Sequence, residues 1–177
     1  MIAPLSLTSV LTVVMAVICL STLTPQSRGE VVRLWRLAIP ATLAAVLAVV
    51  LLTGVFEVSL ADDALWLAGA VIGGLAGRAK GWSLPLEVDH QHGLIRLRRS
   101  IDAQYAAIGV VGLAFLDFAS AALEDAIVPG EYVAAAAALC ASYIAARAVA
   151  IAVRIRRAPH VGLHDGFPQA NPPAIKP

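Results

Sequence analysis

Two ionisable residues stand inside otherwise apolar stretches: Asp117 within GLAFLDFASA and Arg147 within YIAARAVAIAV. A charge at bilayer mid-depth costs at least ~2.5 to 3.5 kcal/mol on insertion scales, so such residues serve a polar contact or the movement of an ion or proton. Counted along ideal helices, Asp117 lies about 22 Å past Asp102, and Arg147 lies about 10 Å before Arg154 on the same side. A direct ion pair between them needs helix tilt or the full reach of the arginine. At matched depth Thr53 can hydrogen-bond Asp117, and Thr42 or Gln104 can meet Arg147. Ser120 and Glu124 share the face of Asp117 and extend a polar strip along it. The two readings of this set are an ion or proton path and a structural polar bridge.

The remaining chemistry-bearing side chains lie elsewhere. Asp89, His90 and His92 fall together, as do His160, His164 and Asp165. Mixed imidazole and carboxylate ligands suit zinc or nickel, but the two segments lie far apart in sequence within loops, so solvated histidines are expected and no metal site or cofactor is assigned. The two cysteines, Cys19 and Cys140, stand alone at depths differing by about 10 Å, beyond the Cα separation a disulfide allows. They are expected to be small apolar core residues rather than a thiol relay, and no C-x-x-C-H haem attachment motif is present.

The elements that position these residues follow from composition. The 177-residue chain is 59% hydrophobic and 14% charged, with mean hydropathy +0.81, far more apolar than a soluble domain. An integral membrane protein follows: an all-α bundle of five transmembrane helices over about 3–23, 37–56, 64–82, 103–122 and 131–153, each near the length that spans a hydrocarbon core. Residues 1–157 form this single bundle, and the Pro-rich tail 158–177 is expected to be disordered. The first segment lacks a basic n-region and an A-x-A-like cleavage site, and reads as a retained helix rather than a signal peptide.

Charge orients the bundle. Arg28, Arg33 and Arg36 follow the first helix; Arg78, Lys80, Arg96, Arg98 and Arg99 lie around the loop after the third; Arg154, Arg156, Arg157 and Lys176 follow the fifth. The alternate loops carry Glu57, Asp62, Asp63, Glu124, Asp125 and Glu131 and no Lys or Arg. By the positive-inside rule the N-terminus is outside and the C-terminus cytoplasmic. Trp66 and Trp82 bracket the third helix about 24 Å apart, as interface anchors do.

In that third helix glycine recurs at Gly69, Gly73, Gly77 and Gly81. Positions four apart share a face, and close backbone packing at small residues is what associates helices in lipid. The stripe is expected to pack within the bundle, with a homo-oligomer interface or a lipid or ligand groove as the other uses. Between the third and fourth helices, 83–100 alternates Leu86, Val88 and then Leu94, Arg96, Arg98 around a turn at 90–93, and predicts a short cytoplasmic β-hairpin. Its Arg96, Arg98 and Arg99 suit anionic lipid headgroups. Without interleaved aromatics they make a poor nucleic-acid footprint.

A small-residue helix ending in Gly77-Arg78, then Leu86-Glu87-Val88-Asp89, a turn glycine at Gly93, the Arg96 and Arg98 strand and Ser100 leading into the next helix resemble the CcdC-like family. That family comprises small, largely uncharacterised bacterial multi-pass membrane proteins named for a link to cytochrome c biogenesis loci. The resemblance spans about Gly69 to Leu123. It implies an accessory membrane protein and supplies no catalytic residue. Eleven of the thirteen basic residues are Arg, and Ala is abundant; both have GC-rich codons and point to a bacterial inner membrane. With no second soluble domain, the expectation is a non-enzymatic accessory or assembly protein, binding itself or a larger membrane complex. The alternative is a small oligomeric transporter or channel using Asp117 and Arg147.

Overall fold

The computed structural model describes residues 7–53, 60–123 and 127–163, with side chains over 9–52, 63–123 and 127–163. In chain order it forms α1 (Leu7–Arg28), β1 (Val31–Arg33), a 3-10 turn (Leu34–Leu37), α2 (Ala38–Thr53), α3 (Leu60–Ser83), β2 (Leu86–Asp89), β3 (Leu94–Leu97), α4 (Asp102–Leu123) and α5 (Gly130–Ile155). Five α-helices are present among the described residues. Four helical segments, α1, the 3-10 turn continued by α2, α4 and α5, are long and apolar enough to cross a membrane. The 24-residue α3 has the length, but glycines dilute its apolar middle and Asp63, Arg78 and Lys80 crowd its ends.

The hydroxyls of α1 are consumed within the helix. Thr12 donates to the Ser9 carbonyl (2.8 Å), Ser21 to Ile18 (2.8 Å), Thr22 to Cys19 (2.8 Å) and Ser27 to Thr24 (2.8 Å), so these polar residues enter an apolar helix with their hydroxyls paired. Pro25 sits in the last turns of α1. The chain leaves this helix through Gly29, whose φ of 77° is open to glycine and strained for other residues.

The strongest packing in the bundle is α3 on α5. A Cβ placed on Gly69 would lie 2.5 Å from the Ala135 carbonyl oxygen. On Gly73 it would overlap the Leu139 carbonyl, on Gly77 the Tyr143 carbonyl, and on Gly81 it would lie 2.8 Å from the Arg147 carbonyl. Each four-residue step along α3 is matched by a four-residue step along α5 in the same direction, so the two helices run parallel with their backbones in contact. Gly74, off this line, has nothing within 4 Å of its Cβ position.

A second packing unit joins α1, α2, α4 and α5 through Ala16, Cys19, Leu23, Leu47, Ala107 and Ile144. Small residues are again prominent, and many large apolar ones point outward: Val49, Ile72, Leu75, Phe115 and Val149 are each more than half exposed. At one end of the bundle the strands form a three-stranded antiparallel sheet in the order β1-β3-β2. The hairpin expected over 83–100 is β2 and β3, closed by a turn in which Gly93 takes φ of 62°. The sheet gains β1 as a third strand, with Val31 opposite Arg96 and Val32 opposite Ile95. Val32, Val88, Ile95 and Leu97 turn inward onto Ile151 and Ile155 of α5 and close a separate small core.

Gly77→Ala should cost about 1 to 3 kcal/mol by forcing two backbones apart, whereas Gly74→Ala should be neutral or gain up to about 1 kcal/mol from helix propensity. Thermal unfolding of the two variants in detergent checks this; equal effects would contradict the seam.

Candidate functional site

The seam sets the position of a polar cluster on α5. Tyr143 and Arg147, one turn apart and on one face, contribute the carbonyls that abut Gly77 and Gly81. Their side chains reach Asp102, the first residue of α4. The Tyr143 hydroxyl donates to Asp102 Oδ2 at 2.6 Å, and Arg147 Nε lies 3.1 Å from the same oxygen. The Arg147 side chain is 3% exposed, that of Asp102 20%. Arg147 Nε is off the hydrogen-bond line, and both it and Asp102 Oδ1 are buried without a hydrogen-bond partner, so charge rather than aligned hydrogen bonding holds this contact. A carboxylate at a helix N-terminus also meets the positive end of the helix dipole. Arg154, two turns further along, donates to the Gly81 (2.7 Å) and Leu84 (2.6 Å) carbonyls and so satisfies the C-terminal end of α3.

Arg147 therefore finds its partner in Asp102, the residue that opens α4. Thr42 does not meet it: that hydroxyl donates within its own helix to Ala38 (3.1 Å) and Ile39 (2.9 Å). Gln104 is partly buried on α4. Asp117 lies four turns from Asp102 on the same helix, roughly 22 Å along it, and is not brought to Arg147. It is half-buried and takes no hydrogen bond or ion pair among the described residues. Ser120 accepts the Ile127 amide at 3.4 Å, which ties the end of α4 to the approach to α5. The side chain of Thr53, together with Glu57, Glu124 and Asp125, lies outside the described residues. The signal for the Arg147 contact was present in the sequence: an arginine about 10 Å inside a helix can extend its side chain back to the carboxylate that opens the neighbouring helix.

A second cluster sits where the tail crosses the hairpin. The Val161 amide donates to the Val88 carbonyl at 2.8 Å, and His160 pairs with Val88 as a parallel bridge. Asp89, buried, organises the junction. Its Oδ1 accepts the amides of Gln91 (3.0 Å) and His92 (3.1 Å), and its Oδ2 accepts His92 Nδ1–H (2.9 Å) and the Leu163 amide (3.3 Å). The His90 amide donates to His160 Nδ1 at 3.3 Å and His90 Nε2–H to the Ala158 carbonyl at 3.1 Å. The two histidine segments thus converge, but around Asp89. Among the described residues no group of three or more His, Cys, Asp and Glu could hold a metal ion, while His164 and Asp165 lie outside them. An Asp opening a turn and accepting amides two and three residues on is a recognisable sequence signal; the crossing by the tail is not. Burial pushes the Asp89 carboxyl up, but the His92 ring and amide, the Leu163 amide and positive charge on His92 outweigh it and hold the group well below the usual carboxylate range.

Cys19 is buried in the bundle, with Sγ 3.5 Å from the Pro40 carbonyl, and Cys140 lies against Gly109; both are free thiols. Arg96 Nε donates to the Gly29 carbonyl at 3.4 Å, and Arg98 and Arg99 are exposed at the end of β3. Beside the glycine seam, an open groove of about 520 Å³ between α3 and α5 is walled by Val71, Leu75, Val149 and Val153, with Arg78 and Trp82 also lining it.

Tyr143→Phe removes a hydrogen bond to a charged group and should cost about 1.5 to 3 kcal/mol, read as a lower unfolding temperature; an unshifted transition would contradict the cluster. Because the Asp89 pKa is lowered on folding from an ordinary value of about 3.9, its stabilisation is present in full above about pH 4 and is lost as the pH falls below that range. Protection of the Leu163 amide against hydrogen exchange, corrected for intrinsic rates, should therefore drop on acidification in the natural chain. In Asp89→Asn it should be low at every pH.

No family model, no curated protein and no solved structure matches the chain, so its function is argued from this geometry.

Proposed function

We propose that the chain is an integral protein of a bacterial inner membrane, spanning it five times with the N-terminus outside and the sheet and tail in the cytoplasm. In this role it acts as a non-enzymatic accessory or assembly protein. The observation that carries the accessory reading is the commitment of Arg147 to Asp102, whose same oxygen accepts the Tyr143 hydroxyl. The one basic residue deep in a helix is spent on joining α4 to α5, and Asp117, the other intramembrane charge, stands apart from it. Membrane placement is supported by four helices of spanning length and apolarity and by large apolar side chains facing outward, the arrangement a lipid solvent favours. Orientation is supported by the segregation of basic residues to alternate loops. Parallel α3 and α5 also agree with two helices that cross in the same direction. The third span relies on α3, whose charged ends place Arg78 where a long side chain can snorkel to headgroups. Kinship with the CcdC-like family belongs to this proposal and rests on Leu86 to Asp89, Gly93, Arg96 and Arg98.

One observation favours the second reading, a small oligomeric transporter. Asp117 is half-buried and unpartnered among the described residues, as an ion- or proton-handling carboxylate would be.

Native mass spectrometry of the protein purified gently from its own membrane separates the two. A heteromeric complex, retained in Asp117→Asn, is the result expected for an accessory protein. A defined homo-oligomer whose ion or proton flux in vesicles is abolished by Asp117→Asn would overturn it.

A further inference from the structure

The end of α1 and the end of the hairpin enclose a cleft that the bundle does not use. Gly29, in its left-handed turn, brings α1 against β3 so closely that a Cβ there would lie 3.2 Å from the Leu97 carbonyl and 3.3 Å from the Arg99 amide. The Arg98 amide is held by the Pro85 carbonyl at 3.2 Å. Between these two fixed points opens a cleft of about 510 Å³, within the size range of small-ligand sites. Four arginines line it: Arg28 from the last turn of α1, Arg96 from the outward face of β3, and Arg98 and Arg99 from the segment that follows.

The charge in this cleft is not balanced by its surroundings. Arg28 is 3.9 Å from Glu30, an exposed pair of the kind worth little in water. Glu87 stands opposite Arg96 across the strands. The Arg98 and Arg99 side chains have no hydrogen bond or ion pair among the described residues. Four positive groups facing two carboxylates leave the cleft cationic. Guanidinium is the side chain whose planar fork matches a phosphate through paired hydrogen bonds. The backbone is also fixed here: Arg96 projects from the central strand β3, whose other face is buried on Ile151 and Ile155, and the segment that carries Arg98 and Arg99 is held by the Pro85 carbonyl and the close approach of Gly29. The convergence of three arginines with Arg28, through a turn that only glycine adopts without strain, is what singles out a site.

We infer that this cleft binds a phosphate-bearing anion of headgroup size, drawn from an anionic phospholipid or from a soluble phosphate compound. Both arms rest on the membrane placement proposed above and neither rests on the accessory reading; recovery of the chain in nanodiscs tests placement by itself, so failure of the inference is distinguishable from failure of that reading.

The test uses the full chain in nanodiscs. In discs of phosphatidylcholine alone, inorganic pyrophosphate is titrated by calorimetry. In discs that also contain phosphatidylglycerol, retained lipid is counted by native mass spectrometry. Binding in at least one arm is expected, weakened about tenfold in Arg98→Gln/Arg99→Gln and in Arg28→Gln, and changed by less than about twofold in Arg156→Gln/Arg157→Gln, which removes basic charge outside the cleft. Pyrophosphate binding that follows this pattern assigns a soluble ligand; selective phosphatidylglycerol retention that follows it assigns a lipid headgroup. No binding in either arm overturns the inference, as does binding that Arg28→Gln leaves intact or that the Arg156 and Arg157 variant weakens equally.

Discussion

Two helix backbones in direct contact organise this molecule. Without side chains between them, α3 and α5 touch at Gly69, Gly73, Gly77 and Gly81, and their axes and register are set together, because sliding either helix by one residue would drive a side chain into a carbonyl. In lipid, where burying apolar surface between helices gains little, this kind of close van der Waals contact is the available source of association. The register then has a chemical consequence. The α5 residues whose carbonyls meet Gly77 and Gly81 are Tyr143 and Arg147, the two that reach Asp102. A packing device on one side of α5 therefore aims a polar device on its other side.

The polar device explains how α4 can be tied in. The α4 helix presents mostly alanine to the core, with Ala103, Ala107 and Ala114 buried, and small side chains offer few contacts. Asp102 at its first turn adds an interaction with direction, and the hydroxyl of Tyr143 and the charge of Arg147 converge on one oxygen. The cost of desolvating an arginine is offset only where a partner is fixed in advance, and the rigid seam behind α5 supplies that fixity. Beyond the bundle end, Ile151 and Ile155 carry α5 into the core of the sheet, and Arg154 links it back to the end of α3. One helix thus connects the seam, the polar cluster, the sheet and the capping of α3.

The parts legible in the sequence were those written in local periodicity. Glycine every fourth residue defines a face whatever the tertiary structure, and alternation about a glycine turn defines the β2 and β3 hairpin. Helix ends were less legible. The first helix runs to Arg28, past the expected end near 23, because Ser and Thr hydroxyls bond inside the helix and let it continue through a polar stretch. Strand β1 is three residues long, too short for alternation to register, and exists because β3 offers an edge. The Arg147 contact is hidden from a depth count, because Asp102 sits at the very start of α4 while Arg147 lies about 10 Å inside α5, and only the reach of the arginine side chain joins them. Asp89 was grouped with the histidines as a possible ligand, and its work as an acceptor for the tail depends on contacts from Leu163 that no local pattern records.

The account turns on Arg147 and Asp102 acting as one structural unit fixed by the seam. A double-mutant cycle in stability between Asp102→Asn and Arg147→Gln measures that coupling directly. A coupling energy of about 1 kcal/mol or more, with the double variant much less impaired than the two single losses combined, is the predicted result. Strict additivity, with each substitution acting alone, would contradict it and return Arg147 to the residues whose role is unaccounted for.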